Sequence, residues 1–194
     1  METTEKTSNS LLLDTTVVKK LLVDFIDDEV TNTGFNKGIV GVSGGIDSAV
    51  AVTLATEALG KKNVLAVLMP YKTSNPSSLT DAKTLVKHLG IKSETVDITP
   101  FVDAHLNRNR KMDNVRKGNI MARQRMIVLY DISAREKALV IGTSNKTEIL
   151  LGYGTLFGDT ACAINPLGDL YKTQVWELAR LINQENPVIP ENSI

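Results

Sequence analysis

The sequence predicts an α/β fold: a doubly wound parallel sheet with helices on both faces. Three observations predict it. Short apolar runs suit buried strands, amphipathic stretches lie between them, and glycines punctuate the joints. The runs Gly38-Ile39-Val40-Gly41-Val42 and Asn63 to Met69 do not alternate with polar residues, as expected of strands covered on both faces. Strands separated by helices need crossover connections, which make the sheet parallel. At 194 residues and 42% apolar content the chain suits one domain with a full core. That domain is taken over residues 1–194, with Met1 to Ser10 as a polar tail.

The elements follow in order. Leu11 to about Val30 reads as an amphipathic helix, with Leu13, Val17, Leu21, Leu22 and Phe25 at helical spacing. Asp24, Asp27, Asp28 and Glu29 form its solvated end, and Gly34 stops it. The first strand, Gly38 to Val42, leads through a glycine-rich loop into a helix from Asp47 to Leu59 closed by Gly60. Asn63 to Met69 is the second strand, followed by a loop over Pro70 to Ser78. Leu79 to Leu89 is helical with Gly90 as its stop, and Glu94 to Ile98 is the third strand. Pro100 opens a helical stretch, and Asn114 to Ala134 is a longer helix. Ala138 to Ile141 is the fourth strand, and Lys172 to Gln184 the last helix.

Bulk properties exclude several classes. Lys+Arg and Asp+Glu number 22 each, so the chain carries no net charge to grip nucleic acid over its whole surface. A local basic stretch holds Arg108, Arg110, Lys111, Arg116, Lys117, Arg123 and Arg125, opposed by Asp113. It reads as a solvated helix face or as a surface for a polyanionic dinucleotide. One cysteine, Cys162, forms neither an internal disulfide nor a multi-thiolate site, and suits a reducing cytoplasm. The polar N-terminus lacks the apolar core of a signal peptide, and no apolar run reaches membrane-span length.

The chemistry concentrates at Ser43-Gly44-Gly45-Ile46-Asp47-Ser48, between an apolar strand and a helix. Glycines let the backbone approach a ligand, and amides at a helix start favour an anion. Ser43 and Ser48 add hydroxyl donors. No Gly-Lys-Ser/Thr follows, so this is not a Walker A loop. A carboxylate at Asp47 would repel phosphates unless a cation lay between them, which points to Mg²⁺. The bland alternative is a tight turn with Asp47 as a helix-start acid.

This string resembles the pyrophosphate loop of the N-type ATP pyrophosphatases, a family with an adenine nucleotide α-hydrolase-like fold. Further strings are similar to the NAD synthetases within it: Lys117-Gly118-Asn119-Ile120-Met121-Ala122-Arg123, Gly142-Thr143-Ser144-Asn145-Lys146-Thr147-Glu148, Leu151 to Thr155 with Gly158-Asp159, and Leu170-Tyr171-Lys172-Thr173. The resemblance implies a ligase that adenylylates the nicotinate carboxylate of deamido-NAD with ATP, then amidates it with ammonia. It implies that Gly41, Val42, Ser43, Gly44, Gly45, Ile46, Asp47 and Ser48 bind ATP together with Thr143 and Lys172. Asp47 and Glu148 would ligate Mg²⁺, Asp47 and Lys172 would serve catalysis, and Arg123 and Asp159 would contact deamido-NAD. A homodimer is implied as well.

The residues alone say less. Arg123 shares a helix face with Ile120, Ile127 and Tyr130, an apolar face expected to point inward, where a guanidinium needs an anionic partner. Glu148 follows a strand end, where open parallel sheets place ligands, but also suits the first turn of a helix. Two positions depart from the family: Leu156 stands where some members carry lysine, and Ala163 where a substrate-binding aspartate falls. Members also continue past the segment matching Pro190 to Ile194, so the resemblance implies a missing C-terminal segment. With no room for a glutaminase domain, free ammonia or ammonia from another chain is the expected nitrogen source. The alternatives are a GMP-synthetase-like ligase of the same loop family and a nucleotide-binding module without catalysis.

Overall fold

A computed structural model describes residues 13–108 and 111–194; the polar tail, Leu11 and Arg110 lie outside the described residues. Helix α1 (Thr15–Asn32) precedes strand β1 (Gly38–Gly41), α2 (Ile46–Leu59), β2 (Val64–Leu68), α3 (Pro76–Leu89) and β3 (Lys92–Thr95). Helices α4 (Thr99–Leu106) and α5 (Asn114–Glu136) follow, then β4 (Leu139–Ile141), α6 (Lys146–Leu151), α7 (Lys172–Glu185) and a 3-10 turn at Glu191–Ser193. The strands are all parallel in the order β3-β2-β1-β4. The chain winds outward from β1 to β3, then crosses back to place β4 on the other side of β1. The β1–β4 junction is therefore the topological switch point, where open α/β sheets form their ligand crevice.

The predicted doubly wound sheet stands, with helices on both faces. Successive β1 residues divide between two cores: Val40 packs with α1, α2, α3 and α7, while Ile39 packs with α4 and α5. Helix α2 is apolar around its circumference because β1 and β2 cover one side and α1 and α7 the other. Its buried hydroxyls Thr53 and Thr56 donate to the Ala49 and Val52 carbonyls, both at 2.7 Å.

Several element readings change. In α1 the buried positions are Ile26 and Val30, with Val18, Leu22 and Val23 partly covered, whereas Leu13, Val17, Leu21 and Phe25 are exposed. The helix carries two apolar stripes; spacing picked Leu22 on the inner one, but its other positions fall on the outer side. Helix α3 begins three residues earlier than expected because Asn75 caps it and Pro76 occupies the first turn, a pairing suited to helix starts. Strand β3 is a polar edge strand, so its apolar signal came late; Val96 and Ile98 still donate to the Leu68 and Pro70 carbonyls. Helix α6 and the 3-10 turn went unread. Among the described residues no helix is long and apolar enough to cross a membrane.

Candidate active site

The loop after β1 is organised by its own serines. Ser43 N donates to Ser48 Oγ at 3.2 Å, the two hydroxyls lie 3.1 Å apart, and Ser48 Oγ donates to the Gly45 carbonyl at 2.9 Å. Gly45 is the N-cap of α2 and no side chain caps that helix. The first-turn amides of Ile46, Asp47 and Ser48 are thereby left for a ligand anion. The glycines differ in role. Gly44 has φ +89°, and a Cβ there would stand 2.1 Å from the Ser78 carbonyl oxygen; Gly45 has φ −88° and room for a methyl. Gly44 is thus demanded by the turn and by close packing of protein on protein. Gly44→Ala is expected to lose about 2 kcal/mol or more of stability from the left-handed backbone and the clash. Gly45→Ala should stay close to the parent, and chemical denaturation of both variants checks the contrast.

Asp47 sits in the first turn of α2 and points to the β4 side of the crevice. Its Oδ2 pairs with Lys172 Nζ, from the start of α7, and its Oδ1 accepts from Asn145 Nδ2 at 3.0 Å. Asn145, fully buried, is the N-cap of α6. Its Oδ1 accepts from Glu148 N at 3.0 Å, and its own amide donates to Glu148 Oε2 at 3.1 Å, a reciprocal capping box. Burial pushes the Glu148 carboxyl above its ordinary pKa; the Asn145 amide opposes this, Asp47 adds to it and Lys172 opposes. The start of α7 is tied to α6 by Lys172 N donating to Thr147 Oγ1 at 3.0 Å.

Beside these groups opens a cavity of about 390 Å³ at the C-terminal ends of β1, β2 and β4. Gly41, Val42, Met69, Leu129 and Ile141 give it apolar walls, and Ser43, Thr143 and Asp159 line it. Arg125 reaches in from α5, with Nε donating to the Met69 carbonyl at 3.1 Å. Burial lowers the pKa of its guanidinium and nearby Asp159 opposes that.

The structure puts Gly41, Val42, Ser43, Thr143 and Asp159 on the cavity wall, and separately links Asp47 to Lys172 and, through Asn145, to Glu148; Gly44, Gly45, Ile46 and Ser48 form the turn between and do not line the cavity. It corrects the reading of Arg123. Ile120 packs against the core as expected, but Ile127 and Tyr130 are exposed, and Arg123 lies with them on the outer side, its Nε donating to the Leu156 carbonyl at 3.2 Å. The arginine on the inward face is Arg125, in line with Met121, Val128, Leu129 and Ile132. Helix α5 is apolar on two sides, and spacing could not tell core from surface. Arg123 instead holds the 155–159 loop, assisted by Thr155 Oγ1 donating to Asn119 Oδ1 at 2.8 Å and Thr155 N donating to Asp159 Oδ1 at 2.8 Å. Asn145, the buried cap that joins Asp47 to Glu148, was also missed. Its signal was present, since an Asn followed three residues later by Glu is a capping-box pattern. Cys162 is half-buried with its thiol pKa raised by burial, unlike an activated nucleophile.

Asp47 and Glu148 together offer hard carboxylate oxygens beside the glycine-rich loop. Mg²⁺ is bound through one or two carboxylates, with phosphates and water completing its shell, so this donor set fits it. Among the described residues no group of three or more His, Cys, Asp or Glu side chains forms a cage that would hold an ion without such help.

The family model described as NAD synthase matches residues 18–194. An NH₃-dependent NAD⁺ synthetase of Fusobacterium nucleatum is 51% identical over 181 residues, covering 93% of this chain and 70% of that protein. One from Chlorobium phaeobacteroides is 58% identical over 170 residues, covering 88% of this chain and 61% of that protein. Among solved structures, the NH₃-dependent NAD synthetase of Campylobacter jejuni, in complex with nitrate, superposes with a TM-score of 0.87 at 43% identity, covering 94% of this chain and 77% of that one. The NMN synthetase of Francisella tularensis gives 0.86 at 34% identity, covering 94% and 74%. The chain thus spans about 61 to 70% of these curated relatives' length.

Proposed function

The chain belongs to the NAD synthase family, and we propose that it binds ATP at the Ser43–Ser48 loop and uses it to turn the nicotinate carboxylate of deamido-NAD into an amide. One observation carries this reading. Asp47 and Glu148, from the helices that follow the two strands flanking the switch point, are joined through Asn145 beside uncapped helix amides and Lys172. A purine-sized apolar cavity adjoins them.

In the proposed reaction a carboxylate oxygen of the substrate attacks the α-phosphorus of ATP. The bond from that phosphorus to the bridging oxygen breaks and pyrophosphate leaves. Ammonia then attacks the acyl carbon, gives up a proton, and AMP departs with the carboxylate-derived oxygen. The α2 amides and Lys172 hold the negative charge of the phosphates, while the cavity fixes the adenosine. The role of the chain is chiefly orientation and charge stabilisation. Mg²⁺ held by Asp47 and Glu148 would neutralise charge on the phosphate oxygens. Thr143 lines the ATP side of the cavity, while Asp159 and Arg123 brace the loop over the dinucleotide side. A reducing cytoplasm suits the single half-buried thiol.

The test measures AMP and NAD from the purified chain with ATP, Mg²⁺, ammonia and deamido-NAD. Nicotinic acid mononucleotide and xanthosine monophosphate run in parallel. NAD formed in step with AMP supports the proposal. Preference for the mononucleotide would favour an NMN-synthetase-like reading, suggested by the likeness to the Francisella tularensis structure. Turnover of xanthosine monophosphate would favour a GMP-synthetase-like ligase. ATP binding without any product would leave a nucleotide-binding module.

We also propose that two copies of the chain pair. Leu150, Leu151, Tyr153, Leu156 and Phe157 are exposed on α6 and the loop beyond it, with Leu151 at 76% and Tyr153 at 78%. Such a run of apolar surface marks an interaction site. Leu151→Lys is expected to shift the chain from dimer to monomer in sedimentation velocity, and an unchanged sedimentation coefficient would refute this surface.

A further inference from the structure

We infer that Asn145 is a positioning residue that sets Asp47 and Glu148 in fixed relation for metal-nucleotide binding, an inference that rests on the function proposed above. Its side chain is fully buried and both ends of its amide are engaged. Oδ1 accepts from Glu148 N at 3.0 Å and caps α6, while Nδ2 donates to Asp47 Oδ1 at 3.0 Å. Its backbone N–H donates to Glu148 Oε2 at 3.1 Å. One residue therefore grips both carboxylates, joining the segment after β1 to the segment after β4.

Capping alone does not explain an asparagine. Serine, threonine and aspartate cap helices about as well. Only asparagine adds a neutral donor on the far side of the cap. Aspartate would set a like charge against Asp47, and a serine or threonine hydroxyl is too short to replace the Nδ2 bond. The two partners of Asp47 also differ in kind. Lys172 is long, flexible and about one-third exposed, so it can leave Oδ2 for a phosphate. Asn145 is packed in place and keeps Oδ1. The carboxylate then has one permanent partner and one exchangeable partner, an arrangement that frees one oxygen without freeing the side chain. Ligand-orienting partners of this kind commonly govern metal affinity.

The variants Asn145→Ser and Asn145→Thr keep a capping hydroxyl and delete the bond to Asp47. Mn²⁺ serves as a paramagnetic stand-in, titrated onto the full chain with α,β-methylene-ATP, and free Mn²⁺ is read by electron paramagnetic resonance. Thermal unfolding without metal reports the fold. The expected result is a folded chain whose Tm falls by several degrees for the one lost bond, with Mn²⁺ affinity weakened about 10- to 100-fold. Catalysis should recover in part as Mg²⁺ is raised. Parent-like Mn²⁺ affinity in both variants would reduce Asn145 to a helix cap and overturn the inference. Failure of both to fold would overturn it as well, by making the residue a requirement of the fold. A parent that binds no Mn²⁺ with the nucleotide would remove the proposed function itself, and the inference with it.

Discussion

Asp47→Asn is expected to lower kcat/KM for the ATP-dependent reaction by about 10³-fold, because it removes the charge that balances a metal in the transition state. The side chain keeps its size, and its oxygen can still accept from either Asn145 Nδ2 or Lys172 Nζ. One of those donors then faces an amide instead of an oxygen, and such a loss costs about 1–3 kcal/mol of stability. The chain should remain folded. Metal-free ATP should bind as tightly as to the parent or more so, since a carboxylate no longer faces the phosphates and Lys172 has lost its anion. Calorimetric titration of ATP with and without Mg²⁺ separates the two effects. The parent gains affinity from Mg²⁺ and the variant does not. Equal Mg²⁺ dependence in the two proteins would remove Asp47 from the metal site and return it to a helix-start acid.

Much of this arrangement was legible in the sequence, for physical reasons. Strands buried on both faces cannot alternate, so β1 and β2 stood out as continuous apolar runs. The glycine-rich loop was readable because a turn with φ +89° and 2.1 Å of clearance excludes every side chain at Gly44. Asp47 sits in the first turn of α2, as expected, but Ser48, read as a hydroxyl donor for a ligand, gives its proton to the Gly45 carbonyl within the loop. Spacing failed wherever a helix is apolar on more than one side. In α1 it found Leu22 but otherwise chose Val17, Leu21 and Phe25 over Ile26 and Val30, and in α5 it chose Arg123 over Arg125. Period reports that a face exists, while its direction is decided by tertiary packing. Both misread faces are solvent-exposed apolar surfaces, and the one on α5 carries Arg123, which holds the Leu156 loop of the proposed pairing surface. The Asp47–Asn145–Glu148 linkage was hidden for another reason. It joins residues 98 positions apart, and no local pattern reports a contact made by sheet topology.

Glu148→Gln carries the second large effect and a distinctive pH signature. The amide retains an oxygen to accept from the Asn145 backbone, so the α6 cap survives. It cannot supply a charged metal ligand, and turnover should fall by about 10²- to 10³-fold. Burial holds the parent carboxyl above its ordinary range; Asp47 and Asp159 add to this, and the Asn145 amide and Lys172 act against it. Only the ionised form ligates metal. Parent affinity for Mn²⁺ with nucleotide should therefore decline on acidification at a pH above that of an ordinary glutamate, whose pKa is about 4.3. That acid limb should be absent in the variant. Stability runs the other way. The folded pKa is raised, so the native chain holds this proton more tightly than the unfolded chain. The stabilisation from the protonated carboxyl is full below the unfolded pKa and is lost as pH rises through the folded pKa. Glutamine mimics the protonated form at every pH. Glu148→Gln should match the parent in Tm below about pH 4 and equal or exceed it at neutral pH. A variant that loses activity and also melts well below the parent at neutral pH would show that Glu148 serves chiefly as the cap of α6. A variant that is as stable or more stable yet inactive would show a carboxylate kept at the expense of stability, because the metal that neutralises the phosphates needs it as a ligand.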